Sequence, residues 1–341
     1  MGCVTSQPLE RPTGAYFGPT DSFDEVVAAV NANNVNVETL YADGYFEAQF
    51  VTPAEAVGGG EARSNYLNGQ VRLLYERPGN VRLVGLKDIA GQIFDLGAND
   101  ELFWLILRGD IDTMWYGRLQ DDQGVAQQAS AVQRGLDAPG NQAEAAQAED
   151  AQAEAAQADE VPIRPDLIIE VLGIGLIGPD LLTEPVPVMR FNNDADAYML
   201  TWQRRAGADE AGADAAGPDA AGADGGDGPA RWVPVKEIWY DRQTKLPEVV
   251  LLFGPRGRVA VRAYLSEHRA VEEAPGGVGV MVSEDAAPMV AGRYQLFFPE
   301  TGDVMSIELE QVYFERDGVP NELSFRFPGD RAGVSNVRQV R

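Results

Sequence analysis

The sequence predicts a mainly β protein, a curved antiparallel incomplete barrel with short helices that form a lid. Short segments rich in aromatic and β-branched residues alternate in polarity and are separated by Gly, Pro, Asn or Asp. These segments follow one another with few helical patterns between them, which favours an antiparallel meander over parallel β–α units. Two acidic stretches fall between predicted strands, where a sheet tolerates long insertions.

The predicted strands share this period-two pattern, and several of them show a clear alternation of apolar and polar residues. They are Gly44–Val51, Gly69–Glu76, Asn80–Leu86, Leu102–Leu107, Ile111–Gly117, Pro187–Phe191, Tyr198–Gln203, Trp232–Asp241, Pro247–Phe253, Arg258–Leu265, Arg293–Phe298, Met305–Arg316 and Glu322–Phe327.

Two helices are predicted. Ser22 followed by Glu25 is typical of a capping box, and Phe23, Val26 and Val30 then recur at helical spacing. A second helix is expected from Pro165 to Leu172. Both helices either cover one mouth of the sheet permanently or form a movable lid over an apolar cavity.

The charge of the chain is concentrated in two segments. The 341 residues include 27 Lys or Arg and 53 Asp or Glu, which gives a net charge of −26. Residues 120–161 hold nine acids and one base, and residues 206–230 hold six acids and no base. Both lack aromatic residues and bury too little apolar surface to fold alone, so we interpret them as solvated insertions.

These insertions divide the predicted organisation into six parts, of which three form the half-barrel domain. The boundaries are 1–20 for an N-terminal tether, 21–119, 162–205 and 231–341 for the half-barrel, and 120–161 and 206–230 for the insertions.

Composition excludes several classes of function. The acidic balance argues against nucleic acid as a partner, because phosphate binding needs a basic face. One Cys and one His exclude a disulfide framework, a zinc finger and a Cys–His nucleophile pair. The glycines at 173, 175 and 178 match a dinucleotide-binding spacing, but nearby prolines leave no room for the helix that it needs. We therefore predict no enzyme, no catalytic residue, no cofactor and no metal.

The only cysteine, Cys3, indicates lipidation. Gly2 and Ser6 fit myristoylation with a palmitoylated Cys3. Alternatively, Gly2-Cys3 ends the lipobox of a bacterial lipoprotein whose signal peptide precedes Met1. No apolar stretch approaches the 18 residues of a membrane-spanning helix.

The order of several segments points to a known superfamily. A short helix precedes a Gly-led strand, an Arg-Pro-x-x-x-Arg element and an aromatic strand, and the C-terminal region has an aromatic strand followed by Pro-Gly and spaced valines. These pieces are the Phe23 helix, Gly69–Tyr75, Arg77–Leu83, Leu102–Leu105, Phe325–Gly329, Val334 and Val337. In this order they resemble the LolA/LolB-like lipoprotein-carrier superfamily of bacterial outer-membrane lipoprotein sorting.

The resemblance implies an incomplete, curved antiparallel barrel with a helical lid over an apolar cavity that accepts acyl chains. It also implies that Arg77 is a lid-contacting residue. The expected protein is a lipoprotein anchored through Cys3 at the periplasmic face of the bacterial outer membrane, with lipid or acylated lipoprotein as partner. In having Val4 and not Asp after Cys3, the sequence resembles lipoproteins destined for the outer membrane.

Strand parity gives the residues expected to line the cavity, although a shift of one position would turn each of them outward. They are Val71, Leu73, Tyr75, Val81, Leu83, Phe103, Leu105, Trp115 and Trp239. An ordinary filled core would need the same residues, so a structural or interaction lipoprotein without ligand remains the alternative.

Overall fold

A computed structural model describes the chain from Ala15 to Gln339 with internal gaps. The described ranges are 15–52, 63–87, 91–108, 112–118, 169–206, 231–254, 257–273, 287–316, 318–321, 323–329 and 333–339. Cys3, the insertion 120–161 and all but one residue of the insertion 206–230 lie outside them, as do residues 165–168 of the second predicted helix.

The described elements are one helix, sixteen strands and a helical turn at 169–171. In chain order they are α1 (Phe23–Asn34), β1 (Thr39–Thr52), β2 (Arg63–Glu76), β3 (Asn80–Lys87), β4 (Gly91–Ala98), β5 (Leu102–Leu107), β6 (Thr113–Arg118), β7 (Val186–Asn192), β8 (Ala197–Arg205), β9 (Trp232–Asp241), β10 (Pro247–Phe253), β11 (Val259–Ser266), β12 (Arg269–Ala270), β13 (Met289–Val290), β14 (Arg293–Phe298), β15 (Asp303–Tyr313) and β16 (Asn336–Gln339).

Fourteen strands form one open sheet in the order β16-β6-β5-β4-β3-β2-β1-β15-β14-β11-β10-β9-β8-β7, and β12 and β13 form a separate pair. All neighbours in the large sheet are antiparallel except β16 and β6, which are parallel. The prediction of a mainly β, open antiparallel architecture is therefore confirmed. The edge strand β7 contains Pro187, which has no backbone N–H to donate.

Helix α1 begins as the sequence predicts. The Glu25 backbone N–H donates to the Ser22 hydroxyl at 3.4 Å, and the Ser22 backbone N–H donates to the Glu25 carboxylate at 2.8 Å. This reciprocal capping box satisfies N–H groups that the first turn leaves unpaired. Val26 and Val30, four residues apart, are buried on one side of the helix.

Several described elements differ from the sequence-based predictions. Strand β4 was not predicted, because its Gly and Asp residues interrupt the pattern of a strand, and the two-residue strands β12 and β13 were not predicted either. Of the predicted strand Glu322–Phe327, residues 323–325 form a turn and residues 326–327 no regular structure, since Phe325 and Phe327 pack on apolar side chains of the sheet. The chain then adds β16 to the free edge of β6, a pairing that the four residues of β16 alone do not predict.

We call the face of the sheet opposite α1 the outer face. Residues 323–329, which we call the C-terminal segment, lie on this face. Phe325 packs with Tyr41, Leu74 and Tyr313, whereas Phe327 packs against Trp104 and its neighbours. These contacts bury apolar residues that a one-sided sheet would expose, so this part of the outer face is covered as well.

An ion pair on the outer face joins this segment to the sheet. Arg82 donates two hydrogen bonds to Asp95, at 3.0 and 2.6 Å, and a third to the backbone oxygen of Ser324 at 2.9 Å. The Trp104 indole N–H donates to the same carboxylate at 3.2 Å. Because the Asp95 side chain is only 3% exposed, these partners replace the water that the carboxylate has lost.

Replacing Asp95 with Ala should destabilise the protein by about 3–5 kcal/mol, because Arg82 would keep a charge in a largely buried position without its partner. Urea unfolding measures this loss. Asp43→Ala is the control: it removes a more exposed carboxylate that pairs with Arg72 and Arg316, and should cost about 1 kcal/mol or less. Equal losses in the two variants would contradict the structural role given to Asp95.

Candidate functional site

The site is built on the face of the sheet that packs against α1, which we call the inner face. Alternate residues of most of the large sheet's strands point to this side and form one continuous apolar cluster with α1. Of the described residues, the buried charged side chains are Asp95 and Glu237, and both lie on the outer face. The inner face thus offers apolar surface without a buried charge.

A cover lies over the inner face, and we define it as α1 together with residues 169–178. Its buried apolar side chains come from both pieces and belong to the same cluster as the sheet. They are Val26, Val30, Val171, Leu172, Ile174 and Ile177. The cover occupies the space in which an apolar ligand on this face would lie.

Asparagines join the two pieces of the cover. The Asn31 side-chain amide donates to the Ile177 backbone oxygen and accepts from the Ile177 N–H, both at 2.9 Å. The buried Asn34 amide donates to the Gly175 oxygen at 2.9 Å. These bonds satisfy backbone groups of residues 173–178, which form no regular structure, so the two pieces are connected independently of the sheet.

Arg77 attaches the C-terminal end of α1 to the sheet. It follows β2 directly, and its guanidinium donates to the backbone oxygens of Asn34, Val35 and Val37, the last two at 3.2 and 2.8 Å. Asn34 is the last residue of α1 and Val35 is its C-cap, so a cation at these carbonyls opposes the helix dipole, while Val37 lies in the connection to β1. The planar, five-donor guanidinium suits this cluster of acceptors better than an ammonium group would.

Contacts at other parts of the rim involve charged or amide groups. Lys236 of β9 pairs with Glu170 of the cover at 2.5 Å. Ahead of α1, Asp21 pairs with Lys245 at 2.6 Å. The Asn33 side chain exchanges hydrogen bonds with the backbone of Met289, at 2.7 and 3.0 Å. Polar contacts of this kind exchange for hydrogen bonds to water when they separate.

Little space remains beneath the cover. The cavity there measures about 10 Å³, roughly the volume that holds a single water molecule. It is lined by Leu73, Leu83, Val171, Leu172, Tyr294, Leu296 and Ile307. The open cavity expected from the sequence is therefore filled by side chains of the cover in this structure.

Three tyrosines of the inner cluster stay neutral. Burial raises the pKa of Tyr240 and Tyr294 above the usual value of a phenol. Burial also raises the pKa of Tyr75, against an opposing effect of the nearby Arg77. Because a phenolate is disfavoured at all three positions, these tyrosines add no charge to the inner face across the ordinary pH range.

Eight of the nine residues predicted to line a cavity lie in the inner cluster: Val71, Leu73, Tyr75, Val81, Leu83, Phe103, Leu105 and Trp115. Leu73 and Leu83 contact the small cavity itself. Whether the eight contact a ligand stays a prediction, as does the lid function of Arg77. Cys3 lies outside the described residues.

Trp239 is a correction to that set. Its neighbours Ile238 and Tyr240 lie in the inner cluster, while the Trp239 indole donates to Glu237 on the outer face at 2.7 Å. The residues of β9 that face inward are thus shifted by one position from the prediction. Tyr294, Leu296 and Ile307 of the cavity wall were missed, although their alternation in β14 and β15 could have identified them.

The fold and the site together define a class of protein: an open, curved antiparallel sheet with an apolar inner face beneath a helical cover. No family model and no curated protein matches the sequence. Among described residues, no helix has the length and apolar character that a bilayer span requires.

Several solved structures match most of this chain at low sequence identity. A LolA superfamily protein from Nitrosomonas europaea matches at 8% identity and a TM-score of 0.40, over 91% of this chain and 99% of that one. A domain assigned to outer membrane lipoprotein sorting, from Vibrio parahaemolyticus, matches at 9% and 0.39, over 89% and 95%. A DUF1329 family protein from Desulfovibrio piger matches at 11% and 0.37, over 90% and 98%.

Arg77→Leu should loosen α1 without unfolding the sheet, because it removes three hydrogen bonds to the end of that helix. Amide hydrogen exchange in α1 is expected to rise by about 10- to 100-fold, the effect of losing hydrogen bonds to a charged group. Arg72→Leu, on the outer face of β2, is the matched control and should leave α1 unchanged. Equal acceleration throughout the sheet would show that Arg77 supports the fold as a whole and not the cover.

Proposed function

We propose that the protein is a membrane-anchored periplasmic lipoprotein that binds acyl chains or acylated lipoproteins on its inner face, without catalysis. One observation carries the proposal: an uncharged apolar sheet face is covered by apolar side chains whose attachments at the rim are polar. An acyl chain would replace the cover's side chains on the same surface. The Arg77 contacts would then close the cover when no ligand is bound.

The energetics suit reversible binding. Burying a methylene stabilises a complex by about 0.8 kcal/mol, so an acyl chain has ample driving force to bind an apolar face. Binding also displaces Val26, Val30, Val171 and Leu172 from that face, which costs part of this energy. The cost of displacing the cover lowers the net binding energy, which favours release of the ligand.

The membrane anchor in this proposal is a lipidated Cys3 at the periplasmic face of the bacterial outer membrane. Tyr16, the second described residue, is attached to the sheet by a hydrogen bond from its N–H to the Asn193 oxygen at 2.9 Å. Arg242 stacks on its ring at 3.8 Å from the centroid. An anchor at Cys3 would therefore keep Tyr16, and with it this corner of the sheet, within about 45 Å of the membrane, the reach of the intervening chain.

The second candidate is a structural or interaction lipoprotein whose inner face never receives a ligand. The small volume of the cavity favours it, since the interior is filled when the cover is in place. The two functions differ in one property, which is whether the cover leaves the inner face.

Extraction in mild detergent followed by native mass spectrometry tests the proposal, and co-purifying acyl species are expected. A fluorescent fatty acid then measures affinity in a matched pair of variants. Leu73 and Leu74 are adjacent and buried on opposite faces, so Asn at either position should lose similar core packing, about 3 kcal/mol. Leu73→Asn alone should weaken binding, by about 10- to 100-fold, because the amide would lie against the chain.

Two results would contradict the proposal. A wild-type protein that carries no acyl species and binds no fatty acid would support the filled-core alternative. Equal weakening in Leu73→Asn and Leu74→Asn would show that binding follows stability and that the inner face is not the binding surface.

A further inference from the structure

Trp115 has a buried polar group that the described structure leaves unpaired. Its side chain belongs to the inner cluster and is 7% exposed. The indole Nε1–H is buried, and none of the described residues accepts a hydrogen bond from it. A buried donor of this kind almost always has a partner, because losing its bond to water without replacement is costly.

The tryptophans on the outer face provide the comparison. The Trp104 indole donates to Asp95 at 3.2 Å, and the Trp239 indole donates to Glu237 at 2.7 Å. Each of these indoles thus has a carboxylate partner supplied by the sheet. Trp115 differs in facing the side on which the proposed ligand binds.

The register of the sheet connects Trp115 to the small cavity. Trp115 lies opposite Leu105, Leu105 opposite Leu96, Leu96 opposite Leu83, and Leu83 opposite Leu73. These side chains form an apolar row across five strands, which is roughly 19 Å from end to end at the usual strand spacing. A chain lying along this row would have one end at the indole and the other at the cavity wall.

We propose that Trp115 is a specificity residue that donates its indole N–H to the carbonyl oxygen of an ester- or amide-linked acyl chain. The hydrocarbon would run from Trp115 along the leucine row toward Leu73 and Leu83. The inference deepens the proposed function and rests on it, since it identifies the ligand as an acyl ester or amide and not merely an apolar chain. Such a carbonyl supplies the acceptor that the apolar face lacks.

Two lipids that differ by one carbonyl test this proposal. Monopalmitoyl glycerol carries an ester, while 1-O-hexadecyl glycerol has an ether in its place, and both can compete with a fluorescent fatty acid. The wild-type protein should prefer the ester by about tenfold, the usual effect of one hydrogen bond. Trp115→Phe should lose this preference and bind the ether with nearly unchanged affinity. Trp239→Phe is the outer-face control and should keep the preference.

Indole resonances give a second measurement that does not depend on affinity. The chain has five tryptophans, so its indole region contains few signals, and Trp115→Phe identifies the one of interest. That resonance should move downfield with the ester and stay in place with the ether.

The results separate this inference from the function on which it rests. Equal binding of the two lipids, a preference that survives in Trp115→Phe, or an unmoved indole signal would each overturn the role of Trp115 while leaving acyl binding intact. A wild-type protein that binds neither lipid would overturn both.

Discussion

The rest of the structure depends on one constraint: an open sheet with an apolar face has to keep that face out of water. Here the inner face carries no buried charge among its described residues, so only apolar atoms can cover it well. The cover supplies six apolar side chains, and its buried amide, that of Asn34, is paired with a backbone oxygen within the cover. The sheet itself therefore meets mainly apolar atoms of the cover.

The outer face is covered by different contacts. There the C-terminal segment is joined to the sheet through Arg82 and the buried Asp95, and its aromatic side chains pack on Trp104 and Tyr41. The Asp95 side chain is 3% exposed, whereas the carboxylates that pair at the rim of the cover, Glu170 and Asp21, are 44% and 45% exposed. The two coverings thus differ in how deeply their ion pairs are buried, although both bury apolar surface.

The sequence was sufficient for the fold class, for α1 and for eight of the nine inner residues, because regular alternation determines which face a side chain takes. It failed at β9. There Ile238, Trp239 and Tyr240 are all apolar, so the sequence does not show which of them faces inward. Strand β4 was missed because its glycines and Asp95 conceal its pattern, and burial of Asp95 requires Arg82 from a neighbouring strand. The Asn31 and Asn34 contacts join residues more than 130 positions apart, which no local pattern records.

Pro187 in the edge strand β7 affects how readily this edge of the sheet pairs with another molecule. An unclosed sheet leaves backbone groups exposed along its border, and these can recruit strands from other molecules. A missing donor at Pro187 interrupts that border, as proline does in many natural sheets. The β7 border of the sheet is therefore a poor template for pairing with a strand of a second molecule.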